Sequence, residues 1–169
     1  MTREEATAFY RKHYRRIFNI SLRIVESSAD AEEIMQDTLL KYISNQPEGL
    51  NEAQESAWLA RTAIRKSLDW LRSKKREAAF LHEAALAAEE VDDTTEEIDT
   101  KTITPEQVAK EIGMLKEPYN LVLDLVLIEG LDYEEVSQYT GITQGNLRCY
   151  VSRGMAKLRE ALKRKPIYQ

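Results

Sequence analysis

The sequence predicts an all-α protein: two small helical domains joined by an acidic linker, the C-terminal one a helix-turn-helix bundle. Apolar residues recur at spacings of three and four along most of the chain, and no alternating β-branched run competes with them. Glycine (6) and proline (4) are sparse in 169 residues while 31% are charged, a balance that favours soluble helices over sheet and turn. Charge is also unevenly spread. Residues 77–104 hold nine carboxylates against Lys101 alone, whereas 141–169 hold seven basic residues against Glu160 alone. With a formal net charge of −5 overall, the acidic middle marks a boundary between neutral-to-basic ends. The first domain is therefore set at residues 1–88, the linker at 89–104 and the second domain at 105–169.

The first helix is expected over residues 3–25, with Ala6, Phe9, Tyr10, Tyr14, Ile17, Phe18, Ser21, Leu22 and Val25 as its apolar face. Its arginines fit a solvated face. Ser27-Ser28 open the second, roughly 29–44, whose Ala31, Ile34, Met35, Thr38, Leu39, Tyr42 and Ile43 fall on one side. Glu32 and Glu33 suit its first turn, where the helix macrodipole favours acids. Gln36 and Asp37 lie past that turn, and Leu40 is apolar yet off the main stripe, which marks a partner-binding face. Asn45-Gln46-Pro47-Glu48-Gly49 then breaks the helix, and a polar loop runs to about Glu55.

The third helix, Trp58 to Arg76, is basic and amphipathic, with Leu59, Thr62, Ala63, Trp70 and Leu71 directed inward. Arg61, Arg65, Lys66 and Arg72 beside two tryptophans suit unstacked bases and their phosphates. The same residues also fit two core tryptophans and a basic helix end that complements the macrodipole. Both readings stand on these residues alone. Ala78 to Glu90 is alanine-rich and extends this helix, and Val91 to Thr104 is too poor in apolar residues to hold a packed element.

Thr104-Pro105-Glu106-Gln107 opens the second domain with a threonine cap, proline at the first helical position and glutamine three residues after the cap. Val108, Ile112 and Leu115 face inward, Glu117-Pro118 marks the next break, and Tyr119 to Ile128 forms the buried centre, ended by Gly130. Asp132 and Glu135 then suit a capping box, and Val136 and Tyr139 line a short helix that Thr140-Gly141 stops. Thr143 caps the last helix, in which Leu147, Val151, Met155, Leu158 and Leu162 make the apolar stripe. Gln144, Asn146, Arg148, Arg153, Lys157 and Arg159 fall on the opposite face. A short helix, a glycine turn and a longer basic helix is the DNA-reading pattern whose second helix enters the major groove. A structural hairpin with a solvated outer face fits the pattern as well; the local basic excess favours DNA.

Other classes find little support. Cys149 stands alone, so no internal disulfide or cysteine metal cluster is expected. His13 and His82 lack paired ligand spacing, and no catalytic order, phosphate loop or zinc motif occurs, so neither enzyme activity nor a cofactor is expected. The charged start is unlike a signal peptide, and no apolar run nears the roughly 20 residues that span a membrane. The expected compartment is the cytoplasm, without membrane insertion.

In this order, three stretches resemble the extracytoplasmic-function (ECF) sigma factors of the sigma-70 family. DAEEIMQDTLLKYI (30–43) is similar to their helix that binds core RNA polymerase. WLARTAIRKSLDWLRSKKR (58–76) is similar to the helix that melts and reads the minus-ten element. LIEGLDYEEVSQYTGITQGNLRCYVSRGMAKLREAL (127–162) is similar to the region that reads the minus-thirty-five element. Together they span nearly the whole chain outside the linker.

The resemblance implies a sigma factor that joins core polymerase and directs promoter recognition, DNA melting and transcription initiation at a specialised gene set. It implies core-polymerase contacts at Asp30, Glu33, Gln36, Asp37 and Leu40. Minus-ten contacts would come from Trp58, Arg61, Arg65, Lys66, Asp69, Trp70 and Arg72, with the 45–55 loop pocketing an extruded base. Minus-thirty-five contacts would come from Thr143, Gln144, Asn146, Arg148, Cys149 and Arg153, with Lys157 on a phosphate. It further implies an anti-sigma factor and a monomer when free. Two departures bear on promoter preference: the family often has asparagine near Arg65, and usually Ser-Arg where this chain has Cys149-Tyr150, which removes a phosphate or base contact. One rival is a stand-alone helix-turn-helix regulator that binds promoter DNA without core polymerase, usually as a dimer. Another is a protein-interaction module that binds core without opening DNA.

Overall fold

Thr2 starts the first helix with a complete capping box. Its hydroxyl accepts from the Glu5 N–H at 3.1 Å, and Glu5 Oε2 accepts from the Thr2 N–H at 2.7 Å. The structure, a computed structural model, describes residues 1–75 and 103–164, which fall into two units divided after Arg76. The expected helical extension over 78–90 and most of the linker lie outside the described residues.

The first unit is three helices packed on one another: α1 (Arg3–Val25), α2 (Ser28–Asn45) and α3 (Glu52–Lys75). Ile17 and Ile20 of α1, Leu39 of α2, and Leu59, Ile64 and Leu68 of α3 are its most deeply buried large side chains. The α2 face is as expected at Ala31, Ile34, Met35, Thr38, Leu39 and Tyr42, all buried, whereas Ile43 is only half-buried.

Two faces are rotated from expectation. On α1 the buried set is Phe9, His13, Ile17, Ile20, Ser21, Ile24 and Val25. Tyr10 and Tyr14 lie outside it, stacked on each other with ring centroids 5.8 Å apart. A phenol satisfies its hydroxyl more readily in water than in a core, so hydrophobicity alone misassigns these rings. On α3 the core stripe is Leu59, Ala60, Ala63, Ile64, Ser67, Leu68 and Leu71, and Thr62 and Trp70 are only half-buried on its shoulder.

That third helix also begins six residues before Trp58, at Glu52. Asn51 Oδ1 accepts from the Gln54 N–H at 2.8 Å and Gln54 Oε1 accepts from the Asn51 N–H at 3.0 Å. This reciprocal cap makes a helix of residues too polar to show an apolar period. The loop ahead of α3 therefore runs over 46–51 rather than 45–55.

The second unit opens with α4 (Pro105–Gly113), capped by Thr104 and Gln107 in the reciprocal manner expected. α5 (Tyr119–Leu123) runs directly into a π-helical turn, Asp124–Ile128. α6 (Tyr133–Thr140) and α7 (Gln144–Arg164) complete it. α7 packs against α4, α5 and α6. Ile112, Leu123 and Leu158 form a core on which Val108, Leu115, Ile128, Val151, Met155 and Leu162 close. Gly154 admits this packing: a Cβ there would stand 3.0 Å from Leu123 Cδ1.

Candidate nucleic-acid interface

The turn between α6 and α7 is built from side chains that replace missing helical partners. Asp132 Oδ1 caps α6 by accepting from the Glu135 N–H at 2.8 Å. Gly141 ends that helix at φ 79, left-handed backbone that a side chain would resist. Thr140 Oγ1 donates to Val136 O at 2.7 Å and accepts from the Ile142 N–H at 3.2 Å, while Ile142 itself is buried. Thr143 Oγ1 then accepts from the Asn146 N–H at 3.3 Å and opens α7. The helix-turn-helix thus has its turn fixed from both sides.

Its outer face over the first turns of α7 carries Thr143, Gln144, Arg148 and Cys149, all exposed, with Asn146 half-buried. The Arg148 guanidinium lies 5.9 Å from the Tyr133 ring centroid, so an α6 aromatic orients it. Ser152, one turn after Arg148, is exposed as well. Lys157 is exposed, and its ammonium lies 5.3 Å from the Tyr119 ring centroid.

Arg153 departs from expectation. It is 8% exposed and turned into the unit, where Glu111 and Asp124 are buried as well. A guanidinium withdrawn from water there holds the fold and leaves no fork for a base edge. Tyr150 is likewise buried and packs edge-on against Tyr119 at 5.8 Å, so its position is a core one.

On α2, Gln36 and Asp37 each lie three or four residues from both Glu33 and Leu40, and all four are exposed, Leu40 at 59%. Asp30, one turn earlier, is half-buried, and the Gln36 amide donates to Glu32 at 3.4 Å. The stripe thus sets one large apolar side chain in water beside carboxylates.

On α3, at about 100° per residue, Trp58, Arg61, Arg65, Asp69 and Arg72 share the face turned from the core, with Lys66 at its edge and Trp70 on the core side near the helix end. Arg65, Asp69 and Arg72 are exposed; Trp58, Arg61, Lys66 and Trp70 are half-buried. Arg72 Nη1 reaches Asp69 Oδ1 at 3.5 Å. Both tryptophans are partly open rather than core, which favours ring faces available to a ligand.

The first turn of α3 is tied by polar groups. Glu55 Oε1 accepts from His13 Nε2 at 2.8 Å, and Glu55 Oε2 accepts from the Tyr42 hydroxyl at 2.9 Å. Burial, then the adjoining carboxylate, raise the Tyr42 phenol above its ordinary value and keep it a donor. Trp58 meets the Tyr42 ring edge-on at 5.3 Å. Among the described residues, no group of histidine, cysteine and carboxylates could hold a metal ion, and no helix is long and apolar enough to cross a membrane.

Comparison with known proteins gives concordant matches. The pattern of Sigma-70 region 2 fits residues 9–77, and that of Sigma-70, region 4 fits residues 106–158. The ECF RNA polymerase sigma factor SigE of Mycolicibacterium smegmatis is 24% identical over 165 residues, covering 90% of this chain and 59% of that protein. RNA polymerase sigma factor YlaC of Bacillus subtilis is 23% identical, covering 94% of this chain and 92% of that one. Among solved structures, the chain is similar to the sigma factor RpoE from Bartonella quintana, crystallised with the anti-sigma factor NepR. The TM-score is 0.53 at 20% identity, with 96% of this chain and 99% of that one covered, a likeness of fold.

Proposed function

The chain belongs to the sigma-70 family as an extracytoplasmic-function member, and from that premise we propose that it binds core RNA polymerase and opens promoters of a specialised gene set. The observation that carries this reading is the order of matches: a region 2 pattern and a region 4 pattern fall on two separately packed helical units. In the first unit, Glu33, Gln36, Asp37 and Leu40 grip the polymerase, with Asp30 at the edge of that stripe. The α3 face from Trp58 to Arg72 lies along the opened minus-ten strand, where ring faces stack bases and arginines meet phosphates. Gln144, Arg148 and Cys149, with Thr143 and Asn146 beside them, read the minus-thirty-five major groove. Lys157 stands a further two turns along α7 and contacts a phosphate.

An anti-sigma factor that covers one of these faces is the regulation this reading implies, with the chain a monomer when released. The RpoE relative is known bound to such a protein, which supports the proposal by analogy of fold.

The direct experiment is binding of the purified chain to bacterial core polymerase beside a Gln36→Lys, Asp37→Lys variant. The wild-type chain is expected to form holoenzyme, and the double charge reversal to weaken it by at least about ten-fold, since like charges set against an established partner cost several kcal/mol. Wild-type binding that survives the reversal would move the grip elsewhere. No wild-type binding would leave a regulator that acts on DNA alone.

A further inference from the structure

α3 is held in two different ways along its length. From Leu59 to Leu71 its inner face is apolar and buried, whereas its first turn is fixed by polar contacts from two other helices. Lys12 Nζ meets Glu52 Oε1 at 2.8 Å, and Arg16 Nη1 donates to Ser56 O at 3.2 Å. These contacts are at the surface and contribute little. The Glu55 carboxylate is different. Its two oxygens take hydrogen bonds from His13 on α1 and Tyr42 on α2, and the His13 side chain is 4% exposed. Phe9 closes over them, its ring stacked on Tyr42 and tilted against His13, both at 4.7 Å.

Apolar packing tolerates small slides and rotations, but hydrogen bonds are short and directional. A partly buried carboxylate bonded to two neighbouring helices therefore sets the height and rotation of the third. Trp58 lies one turn beyond Glu55 and rests on the same Tyr42 ring. The loop 46–51 lies on the other side of that turn, between Tyr42 at the end of α2 and the start of α3.

We infer that Glu55 is a positioning residue for the opened promoter strand. Through His13 and Tyr42 it fixes where Trp58 and the 46–51 loop stand, and so governs discrimination among minus-ten bases rather than attachment to polymerase. This rests on the promoter-strand reading of α3 given above. A binding constellation must be held to within about 0.5 Å, and one about 1 Å too loose fails although its residues are present.

The test uses holoenzyme assembled from the full chain and bacterial core polymerase. The probe is a premelted DNA template whose non-template strand is randomised over the minus-ten segment, and the retained fraction is sequenced. Glu55→Gln keeps the side chain's size but sets an amide donor against His13 or Tyr42; Tyr42→Phe removes one hydroxyl only. Trp58→Ala serves as the control for the reading itself. Expected are core binding within about two-fold of wild type for Glu55→Gln and Tyr42→Phe, and a base preference flattened by about ten-fold in Glu55→Gln, less in Tyr42→Phe. Wild-type preference in both variants, with Trp58→Ala flattened, would overturn the positioning role and leave the promoter-strand reading intact. Core binding lost in proportion to preference would make Glu55 merely structural and overturn the role as well. An unselective wild type, or an unchanged Trp58→Ala, would sink the promoter-strand reading and the inference with it.

Discussion

Arg148 and Arg153 stand five positions apart on α7 and meet different surroundings. Arg148 is exposed, braced by Tyr133, and free to turn its fork toward a guanine edge. Arg153 is withdrawn from water within a unit that also buries Glu111 and Asp124. Their replacements should separate. Arg148→Ala is expected to leave thermal stability within about 0.5 kcal/mol and to weaken holoenzyme binding at the minus-thirty-five element by about 1–3 kcal/mol. Arg153→Ala is expected to destabilise the second unit by about 3 kcal/mol, because it empties the space of a buried side chain and removes packed methylenes. Melting curves and promoter titrations at one salt concentration check both, and an Arg153→Ala protein of unchanged stability would return that arginine to the groove. Sequence spacing could not draw this distinction. Both residues lie off the apolar stripe, and the acids buried with Arg153 lie on elements remote from it in the chain.

Among elements, the contact of α5 with α7 shows what a missing side chain permits. Gly154 lies mid-helix, where glycine disfavours helix by about 1 kcal/mol relative to alanine, so its presence needs a reason in packing. The reason is Leu123, fully buried, whose side-chain carbons lie 3.0 to 3.3 Å from where a Cβ would stand. Gly154→Ala gains helix propensity but overpacks this contact, at a cost of about 1–3 kcal/mol. A net loss of about 1 kcal/mol is expected, read as a lower denaturant midpoint at unchanged slope for the second unit. A raised midpoint would mean that Leu123 moves aside. The same element scale shows what was legible. Caps at Thr104, Asp132 and Thr143 were, because hydroxyl and carboxylate caps have fixed offsets. So was the exposure of Glu33, Gln36, Asp37 and Leu40, because an acidic helix face with one stray leucine has no place in a core. The start of α3 was not, since the cap at Asn51 and Gln54 precedes a turn with no apolar period. The inner face of α3 was misjudged because Trp70 outweighs Ile64 and Leu68 in hydrophobic size, although its indole needs a polar partner or water.

At the scale of the whole molecule, the proposed reading assigns DNA to two small surfaces. On that reading the α7 face offers few side chains to base edges, and the α3 face meets a strand exposed only after duplex opening. The formal net charge of −5 further opposes non-specific attachment to DNA, even though the residues after Gly141 are strongly basic. Two such weak surfaces gain affinity when a third body fixes their separation, because the second contact then forms at a high effective concentration. The free chain is accordingly expected to bind promoter duplex weakly and with little sequence preference at about 150 mM salt, as an electrostatic association that falls steeply with added salt. With core polymerase present, affinity for the same duplex should rise by at least about 10²-fold over that of the free chain, with a preference for promoter sequence. Fluorescence anisotropy on one labelled duplex, with and without core and across a salt series, measures both quantities. Tight, sequence-selective binding by the free chain, accompanied by a dimer in sedimentation, would instead describe a stand-alone regulator whose paired recognition helices need no polymerase to hold them.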